Sequence, residues 1–235
     1  MIRFGIRQSF DSIDQIQDRY AALSVPVEVA LPYYWGLYEP VRPHLVPIAD
    51  QIRSYGVEVL SVHAVQAPIN NEKLRTWGME TAEFAKALGA RTITLHPNNV
   101  NKDREEQQKV LGNLEYFDRL YGDEFIFSIE TFEGKRRVFD PGEIVKFNLP
   151  MTLDTSHIPN NEKIWALLKG YRDRIFNVHL SAREGPKQHL PIDGFCKEIV
   201  RYLIDQKWNG NVILEYLFEF HDQMFEDLEL LKAMQ

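Results

Sequence analysis

The sequence of 235 residues predicts an α/β protein, built as one (β/α)8 TIM barrel that occupies residues 1–235. Short apolar strand patterns alternate with helical patterns eight times, and no linker or change of composition divides the chain. The length lies in the lower part of the range of roughly 200 to 400 residues that is usual for this fold. A doubly wound sheet fits less well, because residues 7–10 after the first strand lack the glycines of a phosphate-binding loop.

The strands are predicted from apolar runs that end in turn residues or begin helices. Alternation is clearest in the fourth strand, where Ile93 and Leu95 face the covering helices while Thr92, Thr94 and His96 face inward. In chain order, the predicted strands are Ile2–Arg7, Val25–Leu31, Val57–His63, Thr92–His96, Phe125–Thr131, Leu149–Leu153, Ile175–Ser181 and Val212–Leu217.

A helical pattern follows each strand, with apolar residues that recur every three or four positions. Gly56 and Gly89 end two of these helices, and Asp140-Pro141 opens another. The apolar positions that define the helices are 13, 16, 20 and 23; 48, 52 and 55; 74, 77, 81, 85 and 88; 110, 114 and 117; 144 and 145; 164, 167, 168 and 171; the segment 194–207; and 224, 228 and 231.

Composition narrows the functional classes. Apolar residues make up 44% of the chain and charged residues 26%, which is typical of a soluble enzyme. The net charge of −7 does not favour a general nucleic-acid binder. Cys196 is the only cysteine, and no apolar run has the length of a signal peptide core or a membrane span. These features predict a cytoplasmic globular protein with no membrane partner.

The most informative stretch is residues 153–157, Leu-Asp-Thr-Ser-His, at the end of the sixth strand. Asp154 and His157 can both turn toward one point there, and a divalent metal binds carboxylate oxygen and imidazole nitrogen together. Five other strands also end in a His or Glu, and strand ends meet on one face of a barrel. The resulting ring of residues contains His63, His96, Glu130, Asp154, His157, His179, His189 and Glu215.

The carboxylates of this ring predict a divalent-metal site. Three carboxylates that face one small bowl repel and desolvate one another unless cations or protons lie between them. Structural alternatives remain for individual residues. Asp154 could cap the sixth helix, and Glu28, low in the second strand, could pair with Arg3 or Arg7. Trp35 and its aromatic neighbours could form the wall of a substrate pocket or pack under a proline-rich loop.

Four motifs carry a family resemblance: Leu95-His96-Pro97, Ile129-Glu130-Thr131, the stretch 153–157, and His189 followed four residues later by Asp193-Gly194. On these motifs, and over essentially its whole length, the chain resembles the xylose isomerase-like barrel superfamily and looks most like endonuclease IV. Members of that family hold three zinc ions and cleave DNA beside abasic sites. The resemblance implies that the eight ring residues are metal ligands.

Two positions depart from the endonuclease IV pattern. Lys187 occupies the place of an Asp ligand, and Gln66 occupies the place of a tyrosine that wedges into DNA. Both departures weigh against abasic-site DNA as the substrate. An ammonium group that lies about 4 Å from a cation repels it by roughly 4 kcal/mol at an effective dielectric of about 20. We therefore expect one or two ions instead of three, with zinc first and manganese, magnesium or cobalt as alternatives.

Two reactions follow from the ring and the resemblance. The first is phosphoester hydrolysis by metal-activated water, with Glu130 as the residue that orients or deprotonates the water. The second is a sugar or sugar phosphate isomerase or epimerase that acts through a metal-bound enediolate. The smaller ligand set of that class is present as Glu130, Asp154, His179 and Glu215, and Glu130 and Glu215 would move the proton.

Three residues are candidates for binding a sugar or phosphoester substrate. Arg183 and Lys187 follow the seventh strand and could hold a phosphate group. Trp35 follows the second strand and could contact the substrate through its ring.

Overall fold

A computed structural model describes residues 1–10, 15–32, 42–64, 72–96, 104–133 and 138–235. The strands are β1 (Arg3–Ser9), β2 (Val27–Ala30), β3 (Val59–His63), β4 (Thr92–Leu95), β5 (Ile126–Glu130), β6 (Met151–Asp154), β7 (Ile175–Leu180), β8 (Ala182–Glu184), β9 (Lys187–Leu190) and β10 (Asn211–Leu214). The α-helices are α1 (Ile16–Tyr20), α2 (Arg42–Ser54), α3 (Glu72–Leu88), α4 (Arg104–Tyr121), α5 (Pro141–Lys146), α6 (Asn161–Tyr171), α7 (Gly194–Asp205) and α8 (His221–Lys232).

Eight parallel strands form a closed barrel, which confirms the predicted (β/α)8 fold. The order around the barrel is β1, β2, β3, β4, β5, β6, β7 and β10, and β10 pairs with β1 to close it. The helices cover the outside, where Ile93, Ile129 and Leu168 are fully buried. Each such side chain contributes about 1.5–3 kcal/mol. No helix in the described part of the chain is both long and apolar enough to cross a membrane.

The inside of the barrel contains a layer of buried polar side chains. Because side chains alternate along a strand, the neighbours of the outward apolar residues point to the barrel axis. Thr152 Oγ1 lies 2.9 Å from Thr94 Oγ1 and 2.7 Å from Ser128 Oγ. Asn177 donates to Thr94 at 3.1 Å and accepts from Asn211 at 2.8 Å. These hydrogen bonds satisfy polar groups that water cannot reach, and the layer forms the floor under the strand ends.

The structure differs from the prediction mainly where strands end. Glu215 lies one residue beyond β10, although the sequence predicts that the eighth strand continues to Leu217. The antiparallel hairpin β8–β9, which pairs Glu184 with Lys187, is not predicted. Its strands have only three and four residues and lack an apolar alternation. The start of the predicted first helix, residues 11–14, lies outside the described residues.

Helices α3 and α4 approach closely at Gly78. A Cβ at this position would lie 2.0 Å from Phe117 Cζ. The Phe117 ring is fully buried and stacks on Phe127, with 5.0 Å between ring centroids, so it has little room to move. By contrast, a Cβ at Gly112 on α4 would meet nothing within 4 Å.

We expect Gly78→Ala to lower the free energy of unfolding by about 1–3 kcal/mol, because the added methyl group overpacks the helix interface. Gly112→Ala should instead raise it by up to about 1 kcal/mol, because alanine favours the helix more than glycine does. Urea unfolding followed by circular dichroism measures both effects. Stabilisation by both substitutions would show that α3 and α4 are not packed as described.

Candidate functional site

The eight ring residues lie together at the carboxyl ends of the barrel strands. Most of them end a strand or lie within one residue of its end, His157 follows β6 by three residues, and the hairpin supplies His189. In strand order they are His63 (β3), His96 (β4), Glu130 (β5), Asp154 and His157 (β6), His179 (β7), His189 (β9) and Glu215 (β10). All are buried except His189, which is partly exposed.

Glu130 is at the centre of the ring and has no exposure to solvent. Its Oε2 lies 2.9 Å from His96 Nε2 and 3.4 Å from His63 Nε2. Its Oε1 lies 2.9 Å from His179 Nδ1 and 3.9 Å from His157 Nδ1. Each oxygen of one carboxylate therefore faces a different pair of imidazoles.

The backbone orients His63 for binding a cation. Its Nδ1 lies 3.0 Å from the carbonyl oxygen of Ala64, which can only accept a hydrogen bond, so Nδ1 carries the proton. In the neutral ring, Nε2 then presents a lone pair to Glu130 Oε2. Two acceptors that face each other require a proton or a metal ion between them.

His179 lies between carboxylates on both sides of its ring. Nδ1 is 2.9 Å from Glu130 Oε1 and 3.0 Å from Glu215 Oε2, while Nε2 is 2.9 Å from Glu28 Oε1. Burial alone lowers the pKa of His179, but the charges of Glu28 and Glu215 outweigh it and hold this pKa well above its usual value. A metal ion at Nδ1 could take the place of one of the two ring protons.

Glu28 has different partners from those expected. Its Oε2 accepts a hydrogen bond from Ser61 Oγ at 2.7 Å, and its Oε1 faces His179 Nε2. Arg7 lowers the pKa of Glu28 only as the last of several charges. A carboxylate on the far nitrogen of a metal-binding histidine fixes its ring and its tautomer. Glu28 is therefore placed to orient His179. The sequence predicts instead that it pairs with Arg3 or Arg7.

The Asp154 side chain is held by its own turn. Its Oδ1 accepts from Ser156 N at 2.7 Å, Ser156 Oγ at 2.9 Å and His157 N at 2.9 Å. The alternative role as a cap is not observed, because Asn160 caps α6. Within the described residues Asp154 Oδ2 has no aligned hydrogen bond, although it is buried and lies 3.3 Å from His157 Nδ1. This oxygen is positioned to bind a cation.

Burial shifts two neighbouring pKa values in opposite directions. Burial, followed by the charges of Glu215 and Glu130, raises the pKa of Asp154 to about 7. Burial lowers the pKa of His157 to about 3. The His157 ring is therefore neutral at physiological pH, which is the form that binds metals.

The two glutamates of the ring are held in the ionised form. Burial on its own raises the pKa of Glu130, but the charge of His96 and the hydrogen bond from His179 outweigh burial and hold it well below its usual value. Burial also raises the pKa of Glu215, and the charges of Arg7 and His179 outweigh that effect. Ionised carboxylates are strong ligands for cations and weak proton acceptors.

Several groups of donor atoms in the ring could hold a metal ion. Buried Asp154 Oδ2, Glu215 Oε2 and His157 Nδ1 all lack an aligned hydrogen bond among the described residues. Among the described residues, three groups of side chains have ligand atoms that all lie within 4.8 Å of one another. His96 is in none of the three. The groups are His63, Glu130 and His179; Asp154, His157 and His189; and Glu130, Asp154, His179 and Glu215.

A cavity of about 430 Å³ opens above the ring. Phe132 lines it and positions two histidines, since its ring centroid is 3.7 Å from that of His157 and 4.4 Å from that of His96. The other lining residues in the described part of the chain are Arg7, Ser9, Glu133, Gln188, His189, Glu215, Tyr216 and Leu217. Its volume is suited to a small molecule.

Two of the three predicted substrate residues lie away from the cavity lining. Arg183 donates from Nε to the carbonyl of Gly185 at 2.7 Å and from Nη1 to the carbonyl of Ser156 at 3.1 Å. Lys187 is exposed on β9. Because Lys187 does not line the cavity, it is not placed to repel a cation there as the sequence predicts. Trp35, the third candidate, lies outside the described residues, as does Gln66.

The local backbone explains the position of Lys187. His189 has a left-handed conformation with φ of 57°, which interrupts the strand alternation. Its carbonyl accepts from Leu217 N at 2.9 Å, so the hairpin is tied to the segment after β10. Gln188 and His189 line the cavity as a result. The positive φ of one residue, such as His189, cannot be recognised from the spacing of residues along the sequence.

Sequence reasoning also missed the role of Arg7. This residue pairs in register with Glu28 of β2 and lines the cavity, where its Nη1 forms an ion pair with Glu215 Oε1. The available signal was its position near the end of β1, on the inward face with Arg3 and Gly5. The expected pairing with Glu28 places the guanidinium at the barrel floor instead.

No family model matches this sequence, and no curated protein matches it. Solved structures do match. The chain is similar to 3-keto-D-glucoside 4-epimerase from E. coli, with a TM-score of 0.67 and 13% identity, over 99% of this chain and 100% of that one. It is similar to endonuclease IV from Thermus thermophilus, with a TM-score of 0.62 and 16% identity, over 99% of this chain and 98% of that one.

A third similar structure is a xylose isomerase domain protein from Alicyclobacillus acidocaldarius, with a TM-score of 0.68 and 15% identity, over 98% of this chain and 99% of that one. These matches confirm the predicted (β/α)8 barrel fold. Because both epimerases and an endonuclease share it, the fold leaves the reaction open.

We expect Asp154→Asn to stabilise the protein in the presence of a chelator, by on the order of 3 kcal/mol at pH 8. The asparagine keeps an Oδ1 acceptor for Ser156 and His157 and removes a buried charge. The pKa of Asp154 is about 7 in the folded protein, and its ordinary value is 3.8. Between these two pH values the folded protein therefore holds a proton on Asp154 that the unfolded chain has lost. Stability is therefore lost as pH rises from about 4 to 7.

The advantage of Asp154→Asn should be small at pH 4.5 and largest at pH 8, as measured by urea unfolding at both values. The matched control is Asp173→Asn, whose side chain is 97% exposed and which should have little effect. Destabilisation by Asp154→Asn at pH 8 in chelator would contradict the crowding of carboxylates in the ring.

Proposed function

We propose that this protein is a divalent-metal-dependent enzyme that hydrolyses small phosphoesters. The observation that carries the proposal is the environment of Glu130, whose Oε2 faces His63 and His96 while Oε1 faces His179 and His157. Glu130 belongs to two of the groups that could hold a metal ion, so it would be a ligand common to both. Paired ions are a recurrent means of attacking phosphate esters.

The donor types favour zinc, with manganese, magnesium or cobalt as alternatives. The five imidazoles of the ring, combined with its three carboxylates, suit zinc better than magnesium, which prefers oxygen ligands alone. His63, Glu130 and His179 would hold one ion, with His96 facing the same oxygen of Glu130 as His63 does. Glu130, Asp154, His179 and Glu215 form the group that would hold another. Bound ions would lower the pKa of a water molecule and stabilise negative charge on the phosphate group.

The other groups of the site would orient these ligands and the substrate. The Ala64 carbonyl favours the proton of His63 on Nδ1. The charge of Glu28, whose Oε1 lies 2.9 Å from His179 Nε2, favours a proton on that nitrogen, and the other nitrogen of each ring faces Glu130. The lowered pKa of Glu130 suits a ligand that orients the attacking water better than a base that removes its proton. Of the two roles that the sequence predicts for Glu130, orienting the water is therefore favoured over deprotonating it.

The cavity supports a small substrate. A volume of about 430 Å³ accommodates a compound of the size of a sugar phosphate. The departures at Lys187 and Gln66 from the endonuclease IV pattern weigh against abasic-site DNA.

A sugar isomerase or epimerase is the second candidate. The supporting observation is that Glu130 and Glu215 both lie close to His179 Nδ1, at 2.9 Å and 3.0 Å, in the smaller ligand set of that class. One of the similar solved structures is a 3-keto-D-glucoside 4-epimerase. In that reaction the two glutamates would exchange a proton with the substrate carbon. Their lowered pKa values make both weak bases, so this candidate comes second.

We expect the purified protein to bind one or two zinc ions per chain, because buried donor atoms without aligned hydrogen bonds gain partners on binding. Elemental analysis after dialysis gives the stoichiometry, and thermal unfolding with added zinc reports the linked stabilisation. Glu130→Gln should lower both. Glu58→Gln, the same change at an exposed position on the chain, is the control. A protein that binds no zinc, manganese or cobalt would refute the proposal.

A double substitution separates the two reactions. His63→Ala with His96→Ala removes the imidazoles that only a two-ion site requires, so a hydrolase should lose at least about 100-fold in kcat/KM while an epimerase keeps most of its activity. The substrate panel consists of small phosphate esters, abasic-site duplex DNA, ketoses and inososes. The control is His221→Ala, a histidine that does not line the cavity. Turnover of sugars alone, insensitive to the double substitution, would favour the epimerase.

A further inference from the structure

Arg7 places a permanent positive charge inside the cavity. Its side chain lies near the end of β1, is 22% exposed, and forms an ion pair through Nη1 with Glu215 Oε1. Among the described residues that line the cavity, it is the only Lys or Arg. The cationic residues expected to bind phosphate, Arg183 and Lys187, lie away from this lining.

The partner of Arg7 belongs to the candidate ion-binding group. Glu215 Oε2 is 3.0 Å from His179 Nδ1 and has no aligned hydrogen bond within the described residues. Glu215 Oε1 is shared between Arg7 and His189, whose Nδ1 is 3.7 Å away. An ion bound by Glu215 would neutralise the charge that Arg7 now balances. Arg7 and a divalent ion would therefore share the charge of one carboxylate, Arg7 at Oε1 and the ion at Oε2, so that each weakens the attraction of Glu215 for the other.

The chemistry of a guanidinium group indicates what Arg7 would contact once Glu215 binds an ion. It has five N–H donors in a planar fork that matches two oxygens of a phosphate group. Arg7 lines the cavity above the ring, so a phosphate group in that cavity would be within reach of these donors once they are released from Glu215. A cation that loses its carboxylate partner in a partly buried site favours a new anion strongly.

We propose that Arg7 binds the phosphate group of the substrate, and that it becomes available for this only after a divalent ion has taken Glu215. The inference rests on the proposed function and names the order of binding: the ion first, the phosphate second. It also identifies Arg7, and not Arg183 or Lys187, as the residue that selects an anionic substrate.

The test is isothermal titration calorimetry of Arg7→Gln with zinc and with inorganic phosphate. Arg7→Gln should bind zinc about tenfold more tightly, because a competing cation is removed. The zinc-loaded variant should bind phosphate at least about tenfold more weakly, because a charge-assisted pair is lost. Arg7→Lys should retain part of the phosphate affinity, and unmodified protein in chelator should bind no phosphate. A purely structural role would weaken zinc and phosphate binding together.

The matched control is Arg3→Gln, the same change on the same strand at an exposed position, which should leave both affinities unchanged. Acetate in place of phosphate tests the class of anion, and equal affinity for acetate would overturn the assignment to phosphate. Unchanged phosphate binding in Arg7→Gln, or weaker binding of both ligands in Arg7→Gln and Arg7→Lys, would overturn the role of Arg7.

These measurements need no turnover, so the two proposals fail separately. Opposite shifts of zinc and phosphate affinity in a protein that cleaves no phosphoester would support the role of Arg7 and reject hydrolysis. Phosphoester cleavage that does not depend on Arg7 would do the reverse. Absence of zinc binding overturns both.

Discussion

Four imidazoles surround the carboxylate of Glu130, which has no contact with solvent. An isolated ionised carboxylate in such a place costs several kcal/mol, so the surrounding charges must offset its desolvation. The rest of the site follows from this requirement. His179 has carboxylates against both ring nitrogens, and Arg7 balances Glu215. Burial, followed by the charges of Glu215 and Glu130, raises the pKa of Asp154.

The fold makes this concentration of charge possible. Side-chain alternation sends one face of each strand to the apolar layer under the helices and the other to the barrel axis, where Thr94, Ser128, Thr152 and Asn177 bond to one another. This floor has defined hydrogen bonds and so holds Glu28 and His179 in fixed positions, which an apolar floor would not do. The geometry of the ring is thus set from below by the strands and from the side by Phe132, which packs against two of its histidines.

Much of this architecture could be predicted from the sequence. Period-two patterns locate the eight strands, and the rule that barrel strands end on one face brings His63, Glu130 and Asp154 together without knowledge of the structure. The failures have local causes. The hairpin has too few apolar residues to produce a strand pattern, and the positive φ of His189 makes the sequence offset to Lys187 misleading.

The strand pattern places Arg7 on the inward face, but it does not say whether a long side chain turns toward the floor or the mouth of a barrel. Glu28, predicted low in the second strand, has Ser61 and His179 as its nearest partners, and the expected Arg7 acts on it only through its charge. Such choices depend on the competition among several charges within a few ångströms. Sequence spacing indicates which charged residues lie near one another, and the three-dimensional arrangement determines which of them form pairs.

The β8–β9 hairpin gives this site a part that can evolve independently. Barrel-strand residues support the core as well as the ring, so their replacement risks the whole fold. His189 instead reaches the cavity from a short arm with a turn at Gly185, outside the hydrogen-bond ladder of the barrel. A one-residue change in the length of that arm would shift the backbone that now brings His189 to the cavity, and so could remove this imidazole from the ring. Natural variation in the hairpin could therefore add or remove one ligand, and so alter the chemistry, while the barrel stays the same.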